Sequence, residues 1–120
     1  MRFKSIILSC LILALYSCST SSGLYYYGKY SHTLYEFKKA PTQEQLQIHI
    51  DELKKIIEIS GKKNLRVPPG IYAELGFYYS QKENFDDAIA LYVLESSTYP
   101  ESSKFMKTLI NSANSMKVIN

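Results

Sequence analysis

The chain has no tryptophan and only two cysteines, Cys10 and Cys18, both close to its start. Everything after position 18 lies outside disulfide chemistry, and a thiolate metal site in a folded domain is excluded. Long apolar runs are missing too. The longest, residues 6–16, falls well short of the roughly 20 residues a membrane-spanning helix needs. Charge of one sign is scarce: 14 Lys plus Arg stand against 11 Asp plus Glu, a net +3 that falls by two if Arg2 and Lys4 leave with a leader. No basic excess remains to hold nucleic acid. The sequence offers no Gly-rich phosphate loop, no Ser-His-Asp spacing and no cluster of metal-ligand residues. His32 and His49 fall in separate predicted helices, so a solvent-facing or packing role is expected of each. No catalytic residue, cofactor, metal or small-molecule substrate is expected, and the chain reads as a non-enzyme.

What is present begins with a leader. Arg2 and Lys4 precede the apolar residues 6–16, a length that suits a signal segment. The run ends in Leu15-Tyr16-Ser17-Cys18, which resembles the lipobox cleaved by the bacterial lipoprotein signal peptidase. An aliphatic residue stands three before the cysteine and a small residue directly before it. Tyr16 is bulkier than the usual occupant. Only a thiol accepts the diacylglycerol, so Cys18 is the expected lipidation site, with residues 1–17 removed. Ser19, rather than Asp, follows; by resemblance to enteric sorting this favours the outer membrane, with the domain facing the periplasm. Residues 18–24 are the lipidated cysteine and a polar tether, and residues 25–120 one domain. Apolar residues at 46% and charged residues at 21% are ordinary for a globular protein.

Along the domain the periodicity is helical throughout, and no segment alternates as a strand does. Tyr30, Leu34 and Phe37 predict a helix over residues 30–39, ended by Ala40-Pro41. Thr42 followed by Gln45 has the capping-box form and opens a helix over 43–60. Its stripe is Leu46, Ile50, Leu53, Ile56, Ile57 and Ser60, with Glu52, Lys54, Lys55 and Glu58 on the solvent side and Gly61 as the stop. Residues 62–67 form a basic loop. Pro68-Pro69-Gly70 then opens a helix over 71–82, joined by the turn Lys82-Glu83-Asn84 to another over 86–97. Glu83, Asp86 and Asp87 read as turn and cap. A fifth helix, 101–115, carries Phe105, Met106, Leu109, Ile110 and Ala113 on one side. The expected fold class is all-α.

Residues 71–100 resemble a tetratricopeptide repeat, whose pattern is W-x2-L-G-x2-Y, then A-x3-F, then P. Here the series is Tyr72, Leu75, Gly76, Tyr79, Ala88, Tyr92 and Pro100. Gly76 and Ala88 are small where two antiparallel helices cross closely, and the larger side chains fill the space around them. Glu95 departs from the pattern, which has a small residue there, and is expected either to weaken contact with the next helix or to place a charge at the repeat edge. A lone repeat cannot bury both faces, so flanking helices must cover it. The 101–115 segment matches the first repeat helix at Met106, Leu109 and Ala113 and is expected to cap it. Residues 28–39 echo Asn84, Phe85 and Tyr92, and are expected to be the degenerate second helix of an earlier repeat.

The lipobox, Leu24-Tyr25-Tyr26-Tyr27-Gly28-Lys29-Tyr30, Leu34-Tyr35, Val67-Pro68-Pro69-Gly70, Leu75-Gly76, Tyr99-Pro100-Glu101-Ser102 and Phe105-Met106 together resemble a family of small, uncharacterised proteobacterial lipoproteins with a single tetratricopeptide-like hairpin. Tyr27 stands where these relatives commonly have Trp. The resemblance implies a cell-envelope role, because such proteins are often encoded beside a lipoprotein similar to the curli secretion channel. It implies no activity. The expected function is a membrane-anchored, non-catalytic scaffold or accessory subunit of an envelope lipoprotein complex, with envelope lipoproteins as partners. The alternative is a regulator that binds and activates a periplasmic cell-wall enzyme. Tyr25, Tyr26, Tyr27 and Tyr30 are candidates both for partner contact and for packing onto the domain. Lys62, Lys63 and Arg66 read as a solvated loop, with contact to phospholipid or lipopolysaccharide phosphates near the membrane as the alternative.

Overall fold

The apolar stripes become five α-helices, with no strand among the described residues. The structure is a computed structural model, and it describes residues 23–119. The helices are α1 (Tyr30–Lys39), α2 (Gln43–Lys62), α3 (Ile71–Gln81), α4 (Phe85–Thr98) and α5 (Ser103–Ile119), with a 3-10 turn at Pro100–Ser102 leading into the last. The fold is all-α, as the sequence predicts. Cys18 and the expected leader, residues 1–17, lie outside the described residues.

Each helix packs mainly on its neighbours in the chain: α1 on α2, α2 on α3, α3 on α4 and α4 on α5. The main core lies between α2 and α3, where Ile50, Leu53, Ile56, Val67, Ile71 and Leu75 are buried. A second joins Ala88 and Tyr92 of α4 to Met106 of α5. Counted back from the α3–α4 hairpin, α2 takes the second place and α1, packed on it, the first place of a preceding hairpin, correcting the expectation that residues 28–39 form a second helix. The reason is length: residues 40–42 are enough to turn the chain straight back onto α2.

The helix ends show which local signals decide. Thr42 accepts the Gln45 N–H at 3.2 Å, satisfying one of the free donors of the first turn of α2. At the other end α2 runs through Gly61 to Lys62, so Gly61 is not the stop. The left-handed residue is Asn64, with φ of 52°. Around it Leu65 N–H donates to Ser60 O and Asn64 N–H to Gly61 O, the paired closure of a Schellman turn. Asn tolerates that conformation through its short polar side chain. The same device ends α3, with Glu83 at φ of 60° and Asn84 N–H donating to Tyr79 O. Pro68 and Pro69 precede α3 rather than entering its first turn, and Gly70 at φ of 88° is its N-cap. Asn84 caps α4 without a side-chain bond to the backbone; its amide instead donates to Asp87.

Candidate interaction surfaces

Gly76 meets Ala88 and Tyr92 where α3 and α4 cross. A Cβ on Gly76 would lie 2.8 Å from a ring carbon of Tyr92 and 3.2 Å from the Ala88 carbonyl oxygen, so α3 and α4 cross too closely for any side chain there. Leu75, Ala88 and Tyr92 are buried, Tyr72 and Tyr79 half-buried, and Pro100 is exposed at the start of the 3-10 turn. Burial raises the Tyr92 and Tyr72 hydroxyls above the ordinary tyrosine range; for Tyr72 the charge of Glu95 adds to it. Glu95 corrects its expected place at the repeat edge. It is 3% exposed, and its Oε1 accepts the Gly70 N–H at 2.7 Å, capping α3 from the neighbouring helix. Its Oε2 has no partner among the described residues.

The tyrosine segment is divided between packing and exposure. Gly28 adopts φ of 49°, and a Cβ there would collide with the Glu52 carboxylate. Glu52 is buried, correcting its expected solvent position, because its Oε1 accepts the Lys29 N–H at 2.7 Å at the start of α1. Tyr26 and Tyr30 pack against the main core. Tyr25 meets the edge of Tyr27 at 6.1 Å between ring centres, and Tyr27 itself is 49% exposed. The Lys63 ammonium lies 5.1 Å from the centre of the Tyr26 ring, and the Arg66 guanidinium 5.6 Å from that of Tyr99. Tyr99 donates to Val67 O at 2.6 Å; burial, then the adjacent Tyr25 hydroxyl, pushes its own hydroxyl well up. Gly23, Tyr25, Tyr26, Lys63 and Leu65 enclose a cleft of about 400 Å³.

His32 is exposed, whereas His49 is fully buried at a junction of three helices. Its Nδ1 lies 2.8 Å from Thr33 Oγ1 on α1 and its Nε2 3.0 Å from Glu74 Oε1 on α3. Tyr30 donates to the other oxygen of Glu74 at 2.8 Å, and burial followed by that contact pushes its hydroxyl well up. Tyr78 lies over the same carboxylate, and its hydroxyl is raised by burial first and then by Glu74. Hydroxyl, imidazole and carboxylate stand in the order used by nucleophilic hydrolases. Thr33 is only 6% exposed, however, and also bonds the Tyr30 carbonyl inside its own helix. The arrangement ties α1, α2 and α3 together where unpaired polar groups would be costly.

The last surface is apolar. Met106 and Ala113 of α5 are buried against α4, but Phe105 is 62% exposed, correcting its expected place on the packed side. Phe105, Leu109, Ser112, Met116 and Ile119 recur at alternating spacings of four and three; Leu109 is partly buried against the α4 core, while Phe105, Met116 and Ile119 are exposed. At the far end of α5 Met116 and Ile119 join Ser80, Gln81, Glu83 and Phe85 around a groove of about 320 Å³. Asp86 sits beside it and pairs with Lys117.

A family model described as a domain of unknown function, DUF4810, matches residues 24–109. The chain belongs to this family. No curated protein and no solved structure matches it.

The DUF4810 match takes in the tyrosine segment, the basic loop and the whole hairpin, and ends part-way along α5. Within it, Tyr25, Tyr26, Lys63 and Arg66 come together, as do Gly76, Ala88 and Tyr92. Tyr30 directs its hydroxyl to Glu74. The buried carboxylates of Glu52 and Glu95, the half-buried one of Glu74 and the imidazole of His49 escape a reading by spacing alone, since their partners lie 16 to 44 residues away. One signal was available: Glu52 and Glu95 fall on the same helical faces as Ile56 and Tyr92.

Proposed function

We propose that this chain is a lipoprotein held on the outer membrane through Cys18 and acting as a non-catalytic scaffold or accessory subunit of a cell-envelope lipoprotein complex. The observation that supports the reading most is the open apolar surface of α5. A helix that ends a stack of hairpins needs a polar outer face to stay soluble alone. Here Phe105, Met116 and Ile119 on one side of α5 are exposed instead, and apolar surface left open in this way serves association. No described helix is long and apolar enough to cross a membrane, so attachment rests on the lipid expected at Cys18. The resemblance to lipoproteins encoded beside a curli-channel-like protein gives the partner its class: another envelope lipoprotein.

Affinity purification from detergent-solubilised membranes tests the reading. The wild-type protein should bring down envelope lipoproteins, and Phe105→Glu with Met116→Glu should lose them while circular dichroism stays unchanged. Undiminished recovery by the double variant would remove the α5 face from the proposal. Recovery of a cell-wall synthase or hydrolase instead would favour the regulator reading. Mass spectrometry of the mature N-terminus checks the anchor independently: Cys18 should carry lipid, and Cys18→Ser should accumulate as an unprocessed precursor.

A further inference from the structure

Residues 23–30 and 61–70 contain Lys29, Lys62, Lys63 and Arg66 and no acidic residue. The fold lays the two stretches against each other. The Schellman turn at Asn64 keeps Lys62, Lys63 and Arg66 outside, while Leu65 and Val67 turn toward the domain. The carboxylates packed nearby are already engaged: Glu52 with the Lys29 N–H, Glu95 with the Gly70 N–H, and Glu58 with Lys62. Lys63 and Arg66 therefore offer positive charge seated on tyrosine rings, beside a cleft whose wall includes Gly23. Leu24, 74% exposed, and Tyr27 project from the same segment.

We infer that this face binds the anionic phosphate headgroups of the leaflet that carries the Cys18 lipid. The inference rests on the anchored reading above. Gly23 is five residues beyond Cys18, a stretch that spans at most about 18 Å even when extended, so the face is held within reach of the bilayer surface. Lysine and arginine near such a surface are drawn to anionic headgroups. Tyrosine rings settle at the level of those headgroups, with the hydroxyl in water and the ring against the acyl boundary. The acyl chains supply attachment, and what the face adds is orientation. α3 starts at this face and ends at the groove of Met116 and Ile119; its 11 residues put the two about 16 Å apart along the helix. With the basic face on the lipid, the apolar groove points away from the membrane, toward a partner.

The test uses the whole mature lipoprotein, with Cys18 acylation first verified by mass spectrometry. The chain has no tryptophan, so Tyr27→Trp gives a single reporter. The protein is reconstituted into phosphatidylcholine vesicles, with or without phosphatidylglycerol, that carry brominated acyl chains. Quenching of the tryptophan should be stronger with phosphatidylglycerol. Adding Lys63→Glu and Arg66→Glu should reduce it to the level in phosphatidylcholine alone, whereas Lys38→Glu with Lys39→Glu, at the far end of α1, should leave it unchanged. High salt should weaken the phosphatidylglycerol effect. Equal quenching in both vesicles, or quenching indifferent to the Lys63 and Arg66 changes, overturns the headgroup site while leaving the anchor standing. Burial of the tryptophan only when a second envelope protein is added also overturns it, in favour of a protein contact. An unacylated Cys18 overturns both readings.

Discussion

Gly76→Ala places one methyl at the crossing of α3 and α4, and the geometry fixes what it meets. Its carbon would lie 2.8 and 3.0 Å from two carbons of the Tyr92 ring and 3.2 Å from the Ala88 carbonyl oxygen. Carbon atoms rest about 3.5–4.0 Å apart, so the helices must part by about 0.7 Å or the ring must leave its rotamer. Tyr92 is 1% exposed and has nowhere to go. Overpacking of this kind costs about 1–3 kcal/mol. Against it stands the better helix propensity of alanine, worth about 1 kcal/mol. The expected net is a loss of about 1 kcal/mol, or about 4–8 °C in Tm for a domain of this size. Gly61→Ala supplies the control, because it too sits in a helix but a Cβ there has nothing within 4 Å. That variant should gain up to about 1 kcal/mol. Thermal unfolding of the two proteins side by side should therefore show shifts of opposite sign, and Tyr92→Leu in the Gly76→Ala background should recover part of the loss. Equal gains in both would refute the close crossing and, with it, the reason for glycine in the repeat pattern.

Alkali should unfold the protein earlier than its net charge alone predicts. Tyr30 and Tyr99 keep their protons well beyond the pH, about 10, at which an unfolded tyrosine loses its own. Their stabilisation is complete below about 10 and falls away as pH rises above it. The urea midpoint should drop steeply there, less so in Tyr30→Phe; a flat profile to about pH 11 would count against the burial of these hydroxyls. Glu83→Gly should raise stability by about 1 kcal/mol by relieving a left-handed backbone, and an unchanged Tm would remove that strain from the account. Glu74→Ala leaves Tyr30 and buried His49 without their acceptor and should cost about 3 kcal/mol, with amide exchange in α1 rising most. Exchange unchanged in α1 would show that the tie between the helices is not what holds α1.

The parts of the fold that local physics governs were legible in the residues. The α2 stripe from Leu46 to Ser60 is read directly from a period of 3.6, and Gly76 and Ala88 announce their crossing by size alone. What escaped has two sources. Helix ends depend on which residue takes the left-handed conformation, and both Gly61 and Asn64 were able to; the bonds closing around Asn64 decide it. Buried carboxylates depend on donors far along the chain. Glu52 and Glu95 read as surface charges until Lys29 N–H and Gly70 N–H come within 2.7 Å of them. Phe105 was misplaced because α5 is apolar on two sides, and sequence periodicity does not say which side finds a neighbour. The expectation for Cys18 rests on a motif alone, outside the described residues.

Packing of each helix on its chain neighbours also has a kinetic consequence. Contacts between adjacent helices close short loops, and chains rich in such contacts fold fast. Among the ties that reach further are two with a buried or half-buried partner, Tyr30 to Glu74 across 44 residues and Tyr99 to Val67 across 32. α1 and the end of α4 are thereby latched to the middle of the stack, while the last turns of α5 are held by the exposed Lys117–Asp86 pair and border an open groove. Opening should begin there, as a local event well below the cost of global unfolding. A partner that covers Met116 and Ile119 would close that opening, so its binding should appear as slowed amide exchange at the end of α5 before any other part of the chain responds.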